Sequence, residues 1–218
     1  MRKRTSVFLI VFMSFLLSGV PLPALNTFEL DGGLIYIGST DPQSAPSPII
    51  PAIGITFQFP KKIWIFDLES SFLLTGTYYQ YINNRASPAE LDSRDFAVVC
   101  ILGDFRLAYK FLNRESFSLG TDFGLSAFLR IPIPLPVSPD ASQNFGNILS
   151  YFYAFRFLYP ETGFFGTYRI LENIDLKLSL RASWPLYLLW DDEDLPFPEG
   201  LLVTGLISLI WHLPPKES

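Results

Sequence analysis

Cysteine occurs once in this chain, at Cys100, so no intrachain disulfide, CxxC redox pair or cysteine-built metal centre can form. A single thiol within an apolar strand acts as a small hydrophobe rather than a nucleophile. Histidine is as scarce. His212 stands alone near the end of the chain, with no serine or acid partner evident beside it. Nucleophilic catalysis needs a base within reach of the nucleophile, and the chain contains no GxSxG elbow, phosphate loop or HExxH pair. The expectation is a protein that is not an enzyme and carries neither cofactor nor catalytic metal. Charge is sparse too, at 17% of residues, and its balance is acidic, with a net charge of -5. Nucleic acid binding needs clustered Lys and Arg, and is excluded. Outside the first residues, no apolar run approaches the roughly 20 residues of a membrane-spanning helix.

The chain is nonetheless strongly apolar. Hydrophobic residues make up 49% and aromatics 16% of its 218 residues, and the mean hydropathy is +0.29. Without spanning helices, those side chains must find burial in another way.

The first segment differs from the rest. Arg2, Lys3 and Arg4 form a basic start, Val7 to Leu17 an apolar run, and Gly19 to Ala24 a short tail with Pro21 and Pro23. Residues 1–24 are therefore expected to be a secretory signal cleaved after Ala24, with residues 25–218 as one exported domain.

Beyond it the dominant period is two, the signature of strands. Ile53, Ile55, Phe57 and Phe59 share a face opposite Gly54, Thr56 and Gln58. From Trp64, Phe66, Leu68, Phe72 and Leu74 alternate with Asp67, Glu69, Ser71 and Thr75. Val99, Ile101, Phe105, Leu107, Tyr109 and Phe111 oppose Asp104, Arg106 and Lys110. Leu119, Thr121, Phe123, Leu125, Ala127 and Leu129 oppose Ser118, Gly120, Asp122, Gly124, Ser126 and Arg130. Leu176, Leu178, Leu180, Ala182 and Trp184 oppose Asp175, Lys177, Ser179, Arg181 and Ser183. Thr27 to Gly38 opens the series and Leu201 to Leu213 closes it.

The connections alternate in length. Pro60 to Ile63, Asn113 to Ser116 and Leu171 to Asn173 read as tight turns. Ser39 to Pro51, Tyr81 to Asp95, Ile131 to about Glu161 and Asp191 to Gly200 are long and rich in proline. Two internal echoes support the count. Tyr109-Lys110-Phe111-Leu112-Asn113 resembles Tyr168-Arg169-Ile170-Leu171-Glu172, and Pro160-Glu161-Thr162-Gly163 resembles Pro198-Glu199-Gly200. They place a sixth strand at Gly163 to Leu171 and give eight strands in all. Asn147 to Tyr159 fits three readings: a strand extension, a hairpin arm, or an apolar helix over the mouth, the last being a short helix in the third outer loop.

In a soluble barrel the polar rows face water and are rich in Lys and Glu. Here they are mainly Gly, Ser and Thr with a few charges of both signs, whereas the apolar rows carry large residues strand after strand. The pattern fits a barrel turned inside out, closed because unpaired backbone groups in hydrocarbon each cost several kcal/mol. Trp64, Tyr78, Tyr109, Tyr168, Trp184 and Trp211 near strand ends suit interfacial girdles. The expected fold is all-β: a closed antiparallel up-and-down transmembrane β-barrel of eight strands, with short periplasmic turns and long outer loops.

Seven acids (Glu29, Asp31, Asp67, Glu69, Asp104, Asp122, Asp175) then face six bases (Arg106, Lys110, Arg130, Arg169, Lys177, Arg181) inside the barrel. Buried charges persist when paired, so these form a salt-bridged plug in the periplasmic half. Above it the inward rows turn apolar at Leu73 and Phe128, and Phe152 and Phe155 join them as a candidate region for an apolar ligand. Asp191, Asp192, Glu193 and Asp194 form an acidic run in the last long loop, a candidate site for a divalent cation or a host ligand.

With its leader, alternating strands and last strand ending near Trp211, the chain resembles the small outer-membrane barrels of the OmpW, OmpX and OmpA-domain type. The resemblance is architectural. It implies an outer-membrane location, surrounding lipid, insertion by the barrel-assembly machinery, and one of two functions: passage or binding of small hydrophobic solutes, as in OmpW, or structural and surface interaction through the loops, as in OmpX and the OmpA barrel. One feature departs from the pattern. His212-Leu213-Pro214-Pro215 follows Trp211, where such barrels end on an aromatic residue.

Overall fold

The computed structural model describes residues 27–40, 48–59, 62–82, 84–90, 94–136, 141–154, 156–189 and 196–212. The signal segment at residues 1–24, Phe155, and the acidic run Asp191 to Asp194 lie outside them.

Strands dominate the described residues: β1 (Thr27–Ile37), β2 (Ile49–Gln58), β3 (Asp67–Ile82), β4 (Arg85–Pro88), β5 (Phe96–Asn113), β6 (Phe117–Pro134), β7 (Leu158–Leu171), β8 (Ile174–Ser183) and β9 (Leu202–His212). Each barrel strand pairs antiparallel with its neighbours in the order β2-β1-β9-β8-β7-β6-β5-β3, and β2 with β3 closes the ring. The first strand meets the last from Thr27 opposite His212 to Ile37 opposite Leu202. The cylinder thus has eight strands. β4 lies outside the count, as a short arm on the upper end of β3.

The period of two determines which side chains face out. Leu34, Ile53, Phe164, Leu178, Leu180 and Ile207 form part of an exposed apolar belt, Phe164 at 68% and Leu180 at 59%. Soluble monomers rarely expose a continuous apolar surface of this kind, and a lipid bilayer solvates it. No helix among the described residues is long and apolar enough to cross a membrane.

The wall is not of even height. β3, β5 and β6 have 16, 18 and 18 residues, whereas β2 and β8 have 10 each. The taller side rises above the rim at the long-loop end, and the third long loop folds there as helix α1 (Ala141–Tyr153). α1 packs against β6 and β4. The segment Asn147 to Tyr159 therefore divides: helix to Tyr153, then strand from Leu158, five residues before the start that the echo suggests. Apolar residues at 148 and 152 satisfy a helical stripe as well as alternation, so pattern alone does not choose.

Above Phe128, β6 has no further backbone pairing on its β7 side among the described residues. The Phe128 N–H donates to the Phe157 carbonyl at 2.8 Å, so every second N–H beyond it points the same way. Two of those positions are Pro132 and Pro134, which have no N–H. Proline thereby blunts an otherwise free strand edge.

The first hairpin differs from the expected turn. Reversal falls at Trp64 and Ile65, closed by the bridge Ile63 to Phe66, with Trp64 at φ +57°. No Gly or Asn marks this turn, and alternation runs through it.

Candidate functional site

The inward rows fill the barrel in two layers. The lower layer is ionic and centres on Arg106 of β5, which is 0% exposed. Its Nη1 donates to Asp104 at 2.7 Å and to the Ser71 hydroxyl at 3.1 Å, and its Nη2 reaches Glu69 at 3.3 Å. Asp122 of β6 lies 3.9 Å from Arg106 Nε and accepts from Arg181 Nε at 3.2 Å. Lys177 of β8 donates to Glu69 at 3.1 Å and to both oxygens of Glu29 at 3.2 Å. Glu69 thus links two cations that stand on different strands.

Of the thirteen charges expected in one network, Glu29, Glu69, Asp104, Arg106, Asp122, Lys177 and Arg181 join this cluster. Asp67, Lys110, Arg169 and Asp175 stand apart at the short-turn mouth. Asp67 pairs with Lys62 at 2.9 Å and Lys110 at 3.7 Å, and Asp175 with Arg169 at 3.5 Å. His212 does have an acid partner, contrary to the sequence expectation: its Nε2 is 2.8 Å from Asp175 Oδ2. Strand register brings together residues 37 positions apart in the chain, which spacing could not show. Among the described residues no serine hydroxyl contacts that ring.

The buried layer is richer in acids than the sequence balance suggests. Glu29, Asp31, Glu69, Asp104, Asp122 and Glu161 are buried with Arg106, Lys177 and Arg181. Neutral donors make up part of the difference. Thr56 donates to Asp31 at 2.7 Å, Ser183 to Glu161 at 3.4 Å, and Ser71 to Asp104 through both its N–H and its hydroxyl. Glu161 is the residue that sequence reading missed, because it falls where the long loop was expected to end. Its alternation with Gly163 and Phe165 on an inward row was the available signal.

The upper layer is apolar. Leu73 and Phe128 are each 1% exposed and Phe152 of α1 is 2% exposed. Phe152 meets the Tyr79 ring edge-on at 5.2 Å, and Phe128 meets Tyr159 at 6.1 Å. Ile35, Ile50, Leu102, Ile148 and Leu202 complete this core. Leu73, Phe128 and Phe152 are thus brought together, as packed side chains. Arg130, grouped by sequence with the ionic row, sits in this layer instead. Its guanidinium stacks 4.4 Å from the centroid of the Phe152 ring and donates to the Arg156 carbonyl at 2.7 Å.

Above this core the long loops are tied together. Glu199 Oε2 accepts from the N–H and hydroxyl of Thr40, both at 2.7 Å, and Oε1 meets Arg85 at 3.3 Å. One carboxylate thus bridges three loops. Arg156 lies over the rings of Tyr151 and Tyr187, and burial raises the Tyr187 phenol well above its ordinary pKa.

No protein-family model and no curated protein sequence matches the chain. Solved structures do. The chain is similar to Neisserial surface protein A, NspA, at 10% identity and a TM-score of 0.51, over 86% of this chain and 96% of that one. It is similar to the outer membrane protein OprG from Pseudomonas aeruginosa at the same identity and score, over 87% and 98%. At such identity the likeness is one of fold: the chain has the architecture of the small eight-stranded outer-membrane barrels.

Proposed function

We propose that the protein is an outer-membrane barrel with a sealed lumen, acting through the face that carries its long loops. The observation that carries this reading is the filling of the interior. Arg106 at 0% exposure holds the ionic layer, and Leu73, Phe128 and Phe152 close the layer above it. An eight-stranded cylinder is narrow enough for side chains to fill. What remains available to partners is the outer surface, whose loops Glu199 ties into one unit. The apolar belt supports lipid contact, and the leader expected from the sequence of residues 1–24 would direct export. Insertion would proceed through the barrel-assembly machinery. The acidic run Asp191 to Asp194, in the sequence of the last long connection, would supply carboxylates for a divalent cation or a host ligand.

Purified protein reconstituted in planar bilayers tests the reading. Heat-modifiable gel migration with no channel-sized conductance steps is expected. Open-pore conductance, or a folded protein soluble without detergent, overturns it.

A second reading is supported by α1, whose thirteen residues carry no charge and whose Ile148 and Phe152 are buried in the upper core. Displacing it would uncover an apolar cup floored by the ionic layer, suited to small hydrophobic solutes. Phe152→Ala should then raise the affinity for a fluorescent fatty acid. No saturable binding by either form removes this reading and leaves the first intact.

A further inference from the structure

The sequence echo between residues 109–113 and 168–172 has a structural counterpart. Both segments end a long strand with a register shift, between Lys110 and Leu112 in β5 and between Arg169 and Leu171 in β7. The extra residues, Phe111 and Ile170, are apolar and exposed on the outer face. A bulge bends its strand and re-aims the neighbouring side chains. Here Lys110 and Arg169 line the same polar cavity of about 220 Å³ at the short-turn mouth.

Between them lies the start of β6. Ser118 and Thr167, hydrogen-bonded to each other through their hydroxyls, form part of the wall. Arg114, in the β5–β6 turn, is a third cation there, and its guanidinium has no ion pair among the described residues. Two carboxylates also line the cavity, Glu115 and Asp175. Asp175 is already engaged by Arg169 at 3.5 Å and His212 at 2.8 Å. Three cations and the hydroxyls of Ser116, Ser118 and Thr167 around a space this size suit a tetrahedral oxyanion, since guanidinium and ammonium groups bind phosphate by charge-assisted hydrogen bonds.

We propose that the short-turn mouth is a binding site for a phosphate group, held by Lys110, Arg169 and Arg114. The site is separate from the sealed lumen and from the outer loops. It lies at the end of the cylinder where β1 starts, Thr27 standing opposite His212. A phospholipid headgroup and free phosphate share this chemistry.

The test uses the full mature chain in dodecyl maltoside micelles, which contain no phosphate. Inorganic phosphate is titrated calorimetrically at constant ionic strength. Saturable binding is expected, about tenfold weaker in Lys110→Gln/Arg169→Gln. That variant leaves no orphaned acid, because Asp67 keeps Lys62 and Asp175 keeps His212. Should it fail to show heat-modifiable migration, Arg114→Gln takes its place, with a weakening in the same direction expected. Competition by dihexanoyl phosphatidylglycerol assigns the site to a lipid headgroup, and lack of competition assigns it to free phosphate. Either supports the proposal. Absence of saturable binding in the parent protein, or unchanged affinity in the folded variants, overturns it.

Discussion

Arg106 donates to Asp104 at 2.7 Å from two positions further along the same inward row of β5, with both side chains withdrawn from solvent. Neighbours on one strand face are held at a fixed spacing by the pleat, so this pair is preorganised before other strands add Glu69 and Asp122.

Removing the cation alone should therefore be severe. Arg106→Ala leaves three carboxylates facing a void, and a loss of about 3–5 kcal/mol is expected. Urea titration of folding into lipid vesicles measures it. Neutralising the pair together, Arg106→Met with Asp104→Asn, should recover part of that loss. If the double variant is the weaker of the two, the ion-pair account of the lower layer fails.

Two glycines on the strands either side of β8 should respond differently to the same methyl group. At Gly163 a Cβ would lie 2.6 Å from Arg181 Cγ and 2.7 Å from both Asp122 Oδ1 and the Leu180 carbonyl. At Gly205, on the outer row, it meets nothing within 4 Å. Gly163→Ala is expected to cost about 1–3 kcal/mol, and Gly205→Ala to leave the vesicle-folding midpoint essentially unchanged. Equal effects would show that the lumen is looser than its distances imply.

Glu199 joins three loops, yet it makes no contact with the ionic layer. Glu199→Ala should leave heat-modifiable migration intact while speeding tryptic cleavage in the loops several-fold. Arg94 and Arg85 provide cleavage sites within the second long connection. Unchanged loop proteolysis would mean that the carboxylate does not order them.

Pro132 and Pro134 remove donors from the upper stretch of β6, which pairs with β5 but, among the described residues, not with β7. Threonine at both positions restores the N–H groups without changing the inward direction of the side chains. Crosslinked dimers in detergent should increase relative to the parent protein, through edge-to-edge pairing. A strictly monomeric variant would remove that role for the prolines.

Much of the architecture was readable from one property. Alternation of bulky apolar with small or polar residues specified the strands, their count and which rows face lipid, and the short and long connections specified the up-and-down order. Placing Leu73 and Phe128 inward, and Asp104, Arg106 and Asp122 on one lining, followed from parity alone. Parity does not resolve features longer or shorter than its period. It missed the reversal at Trp64 and Glu161 as a lumen residue, and it left the helix within residues 147–159 as one of three readings.

The chain by itself determined the side of the wall on which each residue stands, because a strand turns its side chains over every second position whatever its neighbours are. Which charges meet was decided by the closed barrel. The stagger of eight strands sets the height of each inward residue, and only that height places Glu69 between Arg106 and Lys177, draws Asp175 to His212, and lifts Arg130 out of the ionic layer onto Phe152.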